Sequence, residues 1–155
     1  MKITMMVLVL LGVSGIVRAD IDLAIVAQIE SSSQPSAVGD GGKALGLYQL
    51  HEAVIIDYNK RHKARYTHRD ALKPEIAAKI ADWYLNTEIP RLLRHFKLQD
   101  TLTNRIWAYN GGIGNVVKGR LSPVTKAYLK KYEKLSVMRS NAQKTTIPSV
   151  DQQRV

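Results

Sequence analysis

Apolar residues along this chain recur at the spacing of helices rather than of strands. Residues 20–30 are apolar on nearly every face, which predicts a buried first helix with Asp20 or Asp22 capping its start. Pro74 suits the first turn of a further helix, and Pro90 predicts a kink or a break in it. The core-facing stripe of that helix follows the i, i+3, i+4 pattern and comprises Ile76, Ala77, Ile80, Ala81, Tyr84 and Leu85.

Three more helices are expected from the same pattern. One covers about residues 50–62, one begins at Thr101 or Thr103, and the last begins at Pro123. Three glycines are expected to end the helix that Thr101 or Thr103 begins: Gly111, Gly112 and Gly114.

No alternating strand pattern of any length occurs, although the loop of residues 31–46 can hold a small β-hairpin. The pattern therefore predicts an all-α or mainly α fold. We expect one domain over residues 20–139 and a polar, frayed tail over residues 140–155.

The chain begins like a secretory signal. Lys2 precedes an apolar run over residues 3–17, and small residues flank Arg18 where cleavage after Ala19 is expected. The run is short for a membrane span, and an uncleaved anchor is the alternative. The chain has no cysteine, so it needs no disulfide in an oxidising compartment. These features predict a signal peptide over residues 1–19 and an exported protein, in the periplasm or elsewhere in the cell envelope.

The formal net charge of +10 favours polyanionic partners. Nucleic acid, anionic lipid and the anionic polymers of a bacterial envelope all fit that charge, and export favours the envelope polymers over nucleic acid. The basic segment of residues 60–69 is either an ordinary solvated surface or an electrostatic contact with the wall.

Glu30 is the candidate for acid chemistry. It follows Ile29 at the end of the most apolar segment, and it is the one acidic residue between Asp22 and Asp40. Burial disfavours the charged form of a carboxyl and raises its pKa, so a buried glutamate keeps a proton to donate near neutral pH. From position alone, a solvated surface glutamate is the commoner case.

Three ordered motifs accompany that glutamate: Glu30-Ser31, then Gly46-Leu47-Tyr48-Gln49, then Ala108-Tyr109-Asn110-Gly111. Together they resemble the motifs of the lytic transglycosylases of the soluble, SLT type (glycoside hydrolase family 23 type), over roughly residues 21–130. The resemblance implies a lysozyme-like helical domain that cuts peptidoglycan. Tyr48 departs from the family pattern, in which methionine is usual, and an aromatic ring there could stack on a sugar.

The resemblance also implies roles for single residues. Glu30 would be the general acid and then the base. The substrate-binding residues would be Ser31, Tyr48, Gln49, Tyr109 and Asn110, and less securely Ser32 or Ser33. The reaction would cleave the β-1,4 bond between N-acetylmuramic acid and N-acetylglucosamine and form a 1,6-anhydro ring without water. It needs no metal and no cofactor.

Several alternatives remain open at this point. A hydrolytic lysozyme would need a second acid, for which Asp40 is the best candidate and Glu52 and Asp57 are weaker. A peptidoglycan-binding assembly protein without turnover and a cationic membrane-active protein are the other two classes. His51-Glu52 starts like a zinc-protease helix, but Ile55 stands where the second histidine is needed. By analogy, the enzyme would open the wall locally for a secretion, conjugation or pilus apparatus, or for a phage.

Overall fold

The computed structural model describes residues 20–146, and the side chains of residues 20–143. The predicted signal segment and residues 147–155 of the predicted tail lie outside this range. Seven α-helices are described: α1 (Leu23–Ser31), α2 (Glu52–His62), α3 (Pro74–Trp83), α4 (Ile89–His95), α5 (Leu102–Gly111), α6 (Ile113–Val117) and α7 (Pro123–Thr146). The mainly α prediction is confirmed.

A small antiparallel sheet occupies the loop between α1 and α2. Its strands are β1 (Val38–Gly39), β2 (Ala44–Leu45) and β3 (Leu50–His51), in the order β1-β2-β3. Gly39 pairs with Ala44, and Leu45 pairs with Leu50. The expected hairpin is therefore present, with a third strand added. That strand takes the first two residues of the predicted second helix.

The helices pack around one apolar core. Helix α1 contacts α3 and α7, and α5 contacts α4, α6 and α7. Val26, Ile80, Leu85 and Ile106 are fully shielded from solvent, as the helical stripes predict. Helix α1 thus lies against the centre of the domain, which fixes the position of the residue at its end.

Pro90 is accommodated without a break. A π-turn over Tyr84–Glu88 joins α3 to α4, and the Ile89 N–H donates to the Tyr84 carbonyl. A proline ring clashes with the carbonyl four residues earlier and donates no hydrogen bond, so the widened turn before Pro90 relieves both problems. The first residue of the π-turn is Tyr84, whose ring lies 6.1 Å from that of Tyr109 in α5.

One expected helix end is wrong. Gly114 lies inside α6, because Gly112 at φ +81° alone breaks the helical path and begins the next helix. Helix α7 continues to Thr146, past the point near residue 140 where fraying was expected. The Asp22 carboxylate, 2.9 Å from the Arg139 Nε, ties α7 just before residue 140 to the N-terminal cap of α1.

A buried ion pair anchors α5. The Arg105 Nε lies 2.6 Å from an Asp100 oxygen, and both side chains are almost wholly buried. Arg105 also approaches the Asn86 oxygen, which accepts a hydrogen bond from the Ile21 N–H. This network joins the segment before α1, the π-turn and α5.

Thr101 caps α5, as one of the two sequence candidates predicted. Its hydroxyl oxygen accepts a hydrogen bond from the Asn104 N–H at 3.1 Å. Thr101→Ala is expected to lower the free energy of unfolding by about 1 kcal/mol, because that N–H loses its partner. Urea denaturation of both proteins measures the change, and Thr103→Ala, on an exposed position inside the helix, is the matched control.

No helix within residues 20–146 is long and apolar enough to cross a membrane.

Candidate active site

A cleft of about 480 Å³ runs between the sheet, α2, the π-turn and the end of α5. Four of the six residues that the sequence assigns to the site border this cleft: Glu30, Gln49, Tyr109 and Asn110. The alternative acid Asp40 borders it as well. The π-turn contributes Tyr84, and α2 contributes Ala53 and Val54. Motifs that lie far apart along the chain thus lie close together in space.

Glu30 projects into the cleft from the last turn of α1. Its carboxyl is largely surrounded by protein, and this burial raises its pKa above the ordinary value. The hydroxyl of Tyr128 and the charge of Lys131 oppose that shift less strongly. The negative end of the α1 dipole also disfavours a carboxylate at this position. Glu30 is therefore placed to retain a proton closer to neutral pH than an exposed glutamate does.

Tyr109 stands beside Glu30 in the cleft wall. Its hydroxyl donates a hydrogen bond of 2.5 Å to the Tyr48 carbonyl. Burial raises the Tyr109 pKa well above its ordinary value, and the Glu30 charge adds to the shift. Tyr109 therefore stays neutral, and its oxygen can still accept a hydrogen bond. The Tyr84 ring lies 6.1 Å from the Tyr109 ring and extends this aromatic wall.

Tyr128 approaches Glu30 from α7. Its hydroxyl is shielded from solvent and meets no partner at ordinary hydrogen-bond geometry within residues 20–143. It nevertheless faces Glu30 closely enough for its O–H dipole to favour the ionised carboxylate, and burial together with the Glu30 charge strongly raises the Tyr128 pKa. Tyr128 thus limits how far the Glu30 pKa rises.

Tyr128→Phe is expected to raise the Glu30 pKa further, because the one hydroxyl that favours the carboxylate is removed. The cost to stability is expected to be small, since that hydroxyl makes no formed hydrogen bond. Carboxyl-selective NMR titration measures the pKa. Tyr132→Phe, which removes a hydroxyl that accepts from the Asp22 N–H instead, is the control. An unchanged or lower Glu30 pKa in Tyr128→Phe would contradict the assignment.

Ser31 and Gln49 hold the loop that forms the floor of the cleft. The Ser31 hydroxyl lies 2.9 Å from the Leu47 carbonyl and 3.1 Å from the Ala27 carbonyl, and Ser31 does not border the cleft. The Gln49 amide nitrogen donates to the carbonyls of Gly46 and Ala37. Both amide hydrogens of Gln49 are thus engaged, and its oxygen is the atom left for a ligand.

The structure does not bring every expected residue to the cleft. The Tyr48 ring is 6% exposed in the core and does not border the cleft, so it is not available to stack on a sugar. Ser32 and Ser33 are exposed in a left-handed turn after α1, also outside the cleft. Asn110 does border the cleft, at the end of α5.

Asp40 is the second carboxyl of the cleft. It is exposed, and one of its oxygens lies 3.9 Å from the His51 Nε2. Glu52 and Asp57 do not border the cleft. Asp40 thus remains the acid best placed to act with Glu30. Within residues 20–146, no cluster of three or more histidine or acidic side chains could hold a metal ion.

Sequence reasoning missed two residues of the site. Tyr84 was read only as a member of an apolar helix stripe, and Tyr128 was assigned no role in the site. Tyr128 and Tyr132 lie four residues apart in α7, and both tyrosines face α1. That aromatic spacing was visible, but no local feature linked it to Glu30.

Comparison with known families matches residues 21–131 to the Transglycosylase SLT domain. No curated protein and no solved structure matches the chain. The matched range contains the cleft residues from Glu30 to Asn110 as well as Tyr128.

Proposed function

The chain belongs to the SLT-type transglycosylases, enzymes that act on peptidoglycan, and we propose that Glu30 is its catalytic acid and base. The observation that carries this proposal is a carboxyl with a raised pKa, held at the end of a buried helix and open to a cleft. A general acid must be protonated at the working pH and must reach the scissile oxygen. Glu30 is the acidic residue in the cleft with a raised pKa.

The proposed reaction proceeds without water. Glu30 protonates the oxygen that links N-acetylmuramic acid to N-acetylglucosamine, and the C1–O bond breaks as positive charge grows on the muramic acid ring. The N-acetyl group of that sugar stabilises the charge. The ionised Glu30 then takes the proton from the sugar's 6-hydroxyl, and the 6-oxygen bonds to C1. The product is a 1,6-anhydro sugar, and the carboxyl regains its proton.

Neighbouring residues are proposed to orient the strand. The Tyr109 oxygen, with its hydrogen committed to the Tyr48 carbonyl, can accept a hydrogen bond next to Glu30. The Gln49 oxygen can accept one from an N-acetyl N–H, because the hydrogens of its amide are engaged by the loop. Asn110 supplies a further amide at the cleft edge. Ser31 is proposed to act through the loop and not by touching the sugar.

A hydrolytic muramidase is the second candidate, since Asp40 borders the same cleft as Glu30. The Asp40 carboxylate could activate a water on the face of the sugar ring opposite the leaving group. Asp40→Asn is expected to leave the anhydro product unchanged if the transglycosylase proposal is right. A loss of reducing-end products in this variant would establish hydrolysis instead, and His51→Gln, which removes the neighbour of Asp40, is the control.

The direct test uses purified protein and isolated sacculi. Released muropeptides are analysed by mass, because anhydro and reducing products differ by one water. Anhydro products are expected from the parent protein. Reducing products would favour the muramidase, and binding without release would favour an assembly protein that has lost turnover.

We also propose an envelope location, since peptidoglycan lies outside the cytoplasmic membrane. The apolar run of residues 3–17 supports export. Local wall opening for a secretion, conjugation or pilus apparatus, or for a phage, is the proposed use. Fractionation of cells that carry the full chain, with and without residues 1–19, tests the location: loss of envelope activity is expected only for the shortened chain.

A further inference from the structure

A second depression, of about 470 Å³, lies between α2 and the segment from the π-turn to α4. It is lined almost wholly by charged side chains. These are Asp57, Lys60, Arg61, Glu88 and Arg91, with Leu92 as the apolar member. We call it the charged depression. The reaction proposed above uses none of these residues.

The charged depression lies next to the catalytic cleft along the same two elements. On α2, Val54 borders the cleft and Asp57 borders the depression, about 4.5 Å further along the helix axis. On the other side, Tyr84 borders the cleft and Glu88 follows one turn later. Burial raises the Tyr84 pKa most, and the charges of Asp57 and Glu88 in the charged depression raise it further.

The acidic residue Glu88 of the charged depression already pairs with a cation of the protein. Glu88 is 7% exposed and receives two hydrogen bonds from Arg91, of 2.9 and 2.6 Å. This pairing lowers the Glu88 pKa, so its charge persists and stays matched by Arg91. Arg91 is thereby committed to the protein and is not the cation that a ligand would recruit.

Two cations of the depression remain for a ligand. Arg61 lies 3.7 Å from Glu88 and its side chain is 52% exposed, so its pairing there is loose. Lys60 is exposed and makes no ion pair with a described residue. A guanidinium and an ammonium side by side form a site for a carboxylate. Asp57, one turn nearer to the cleft, can accept hydrogen bonds from amide N–H groups.

We propose that the charged depression binds the peptide stem that hangs from N-acetylmuramic acid, with a stem carboxylate held by Lys60 and Arg61. The inference rests on the proposed function, because it needs a glycan strand in the cleft. The distance is suitable: Arg61 lies roughly 10 Å along α2 from Val54. An extended peptide covers that distance in about three residues. The stem's amide groups would pass Asp57 on the way.

The test compares glycan strands with and without peptide stems in the parent protein and in three double variants. Glycan strands with intact stems and strands freed of stems by an amidase are digested by the parent protein and by Lys60→Gln/Arg61→Gln. The parent is expected to have the higher kcat/KM on strands with stems. In the variant, the ratio of kcat/KM on the two substrates is expected to fall about fivefold, mainly through KM, which is typical of two partly exposed ion pairs. When the stem carboxylates are amidated, the parent's kcat/KM on strands with stems, relative to strands without stems, should fall by a similar factor.

Lys79→Gln/Lys118→Gln is the matched control, since it removes the same charge from exposed sites that border neither depression nor cleft. Its ratio is expected to equal that of the parent. Lys60→Arg/Arg61→Lys keeps both charges and should retain the stem preference, which guards against a folding defect. An equal ratio in the parent and in Lys60→Gln/Arg61→Gln would overturn the inference while leaving the cleavage reaction intact. Absence of anhydro products from the parent on both substrates would overturn the proposed function itself.

Discussion

Replacing Glu30 by glutamine is expected to lower kcat on sacculi about 1000-fold, the range typical of losing a general acid. Glutamine keeps the size of the side chain but has no proton to give to the leaving oxygen. The substrate affinity should change little, because the amide still fits the cleft. Muropeptide release over time measures the effect, and Glu75→Gln, on the exposed first turn of α3, is the control for a lost carboxyl.

The same substitution is expected not to destabilise the fold. The Glu30 pKa is higher in the folded protein than in the unfolded chain, so folding favours the protonated form. The contribution of this carboxyl to stability is therefore most favourable below its unfolded pKa and is lost as pH rises through its folded pKa. Glu30→Gln removes that decline, and its Tm should equal or exceed the parent's at pH 8. An inactive variant with a much lower Tm would point to a structural role for Glu30.

Activity of the parent should follow the same titration. The acid must carry its proton at the start of each turnover, so kcat/KM is expected to fall as pH rises through the raised pKa of Glu30. Tyr128→Phe should move this fall to higher pH. A fall at the same pH in both proteins would show that another group controls it.

Gly46→Ala is expected to lower the free energy of unfolding by about 3 kcal/mol. Gly46 adopts φ +75°, and a Cβ atom there would lie 1.9 Å from the Ala71 carbonyl oxygen. Left-handed backbone costs a residue with a Cβ about 1–2 kcal/mol, and overpacking against a backbone atom adds about 1–3 kcal/mol. Urea denaturation measures the change.

The chain contains a matched control for that prediction. Gly41 also has a positive φ, +60°, but a Cβ there meets no atom within 4 Å. Gly41→Ala should therefore lower the free energy of unfolding only by the cost of the left-handed backbone, about 1 kcal/mol. Equal losses in the two variants would show that contact with Ala71 is unimportant. Because the Gly46 carbonyl accepts from Gln49, activity of Gly46→Ala should fall even at temperatures where it stays folded.

Local patterns predicted most of the helices, since a stripe at i, i+3, i+4 is written within a few turns. The family resemblance is confirmed by the match over residues 21–131. Local patterns predicted the helix ends less well. Gly112 alone separates α5 from α6, and no local feature of the sequence distinguishes Gly112 from Gly114, which lies inside α6. Helix α7 continues past residue 140, and Arg139, just before that point, pairs with Asp22 at the N-terminal cap of α1.

What the sequence by itself determined is the helical character of the domain and the pairing of Glu30 with ordered motifs, because periodicity and motif order are properties of short segments. Only the tertiary structure decided what surrounds that carboxyl. The π-turn brings Tyr84 to the cleft, α7 brings Tyr128 to Glu30, and packing takes the Tyr48 ring into the core. The pKa of a buried acid depends on the desolvation and dipoles of all neighbouring atoms together, and here those atoms come from elements far apart along the chain.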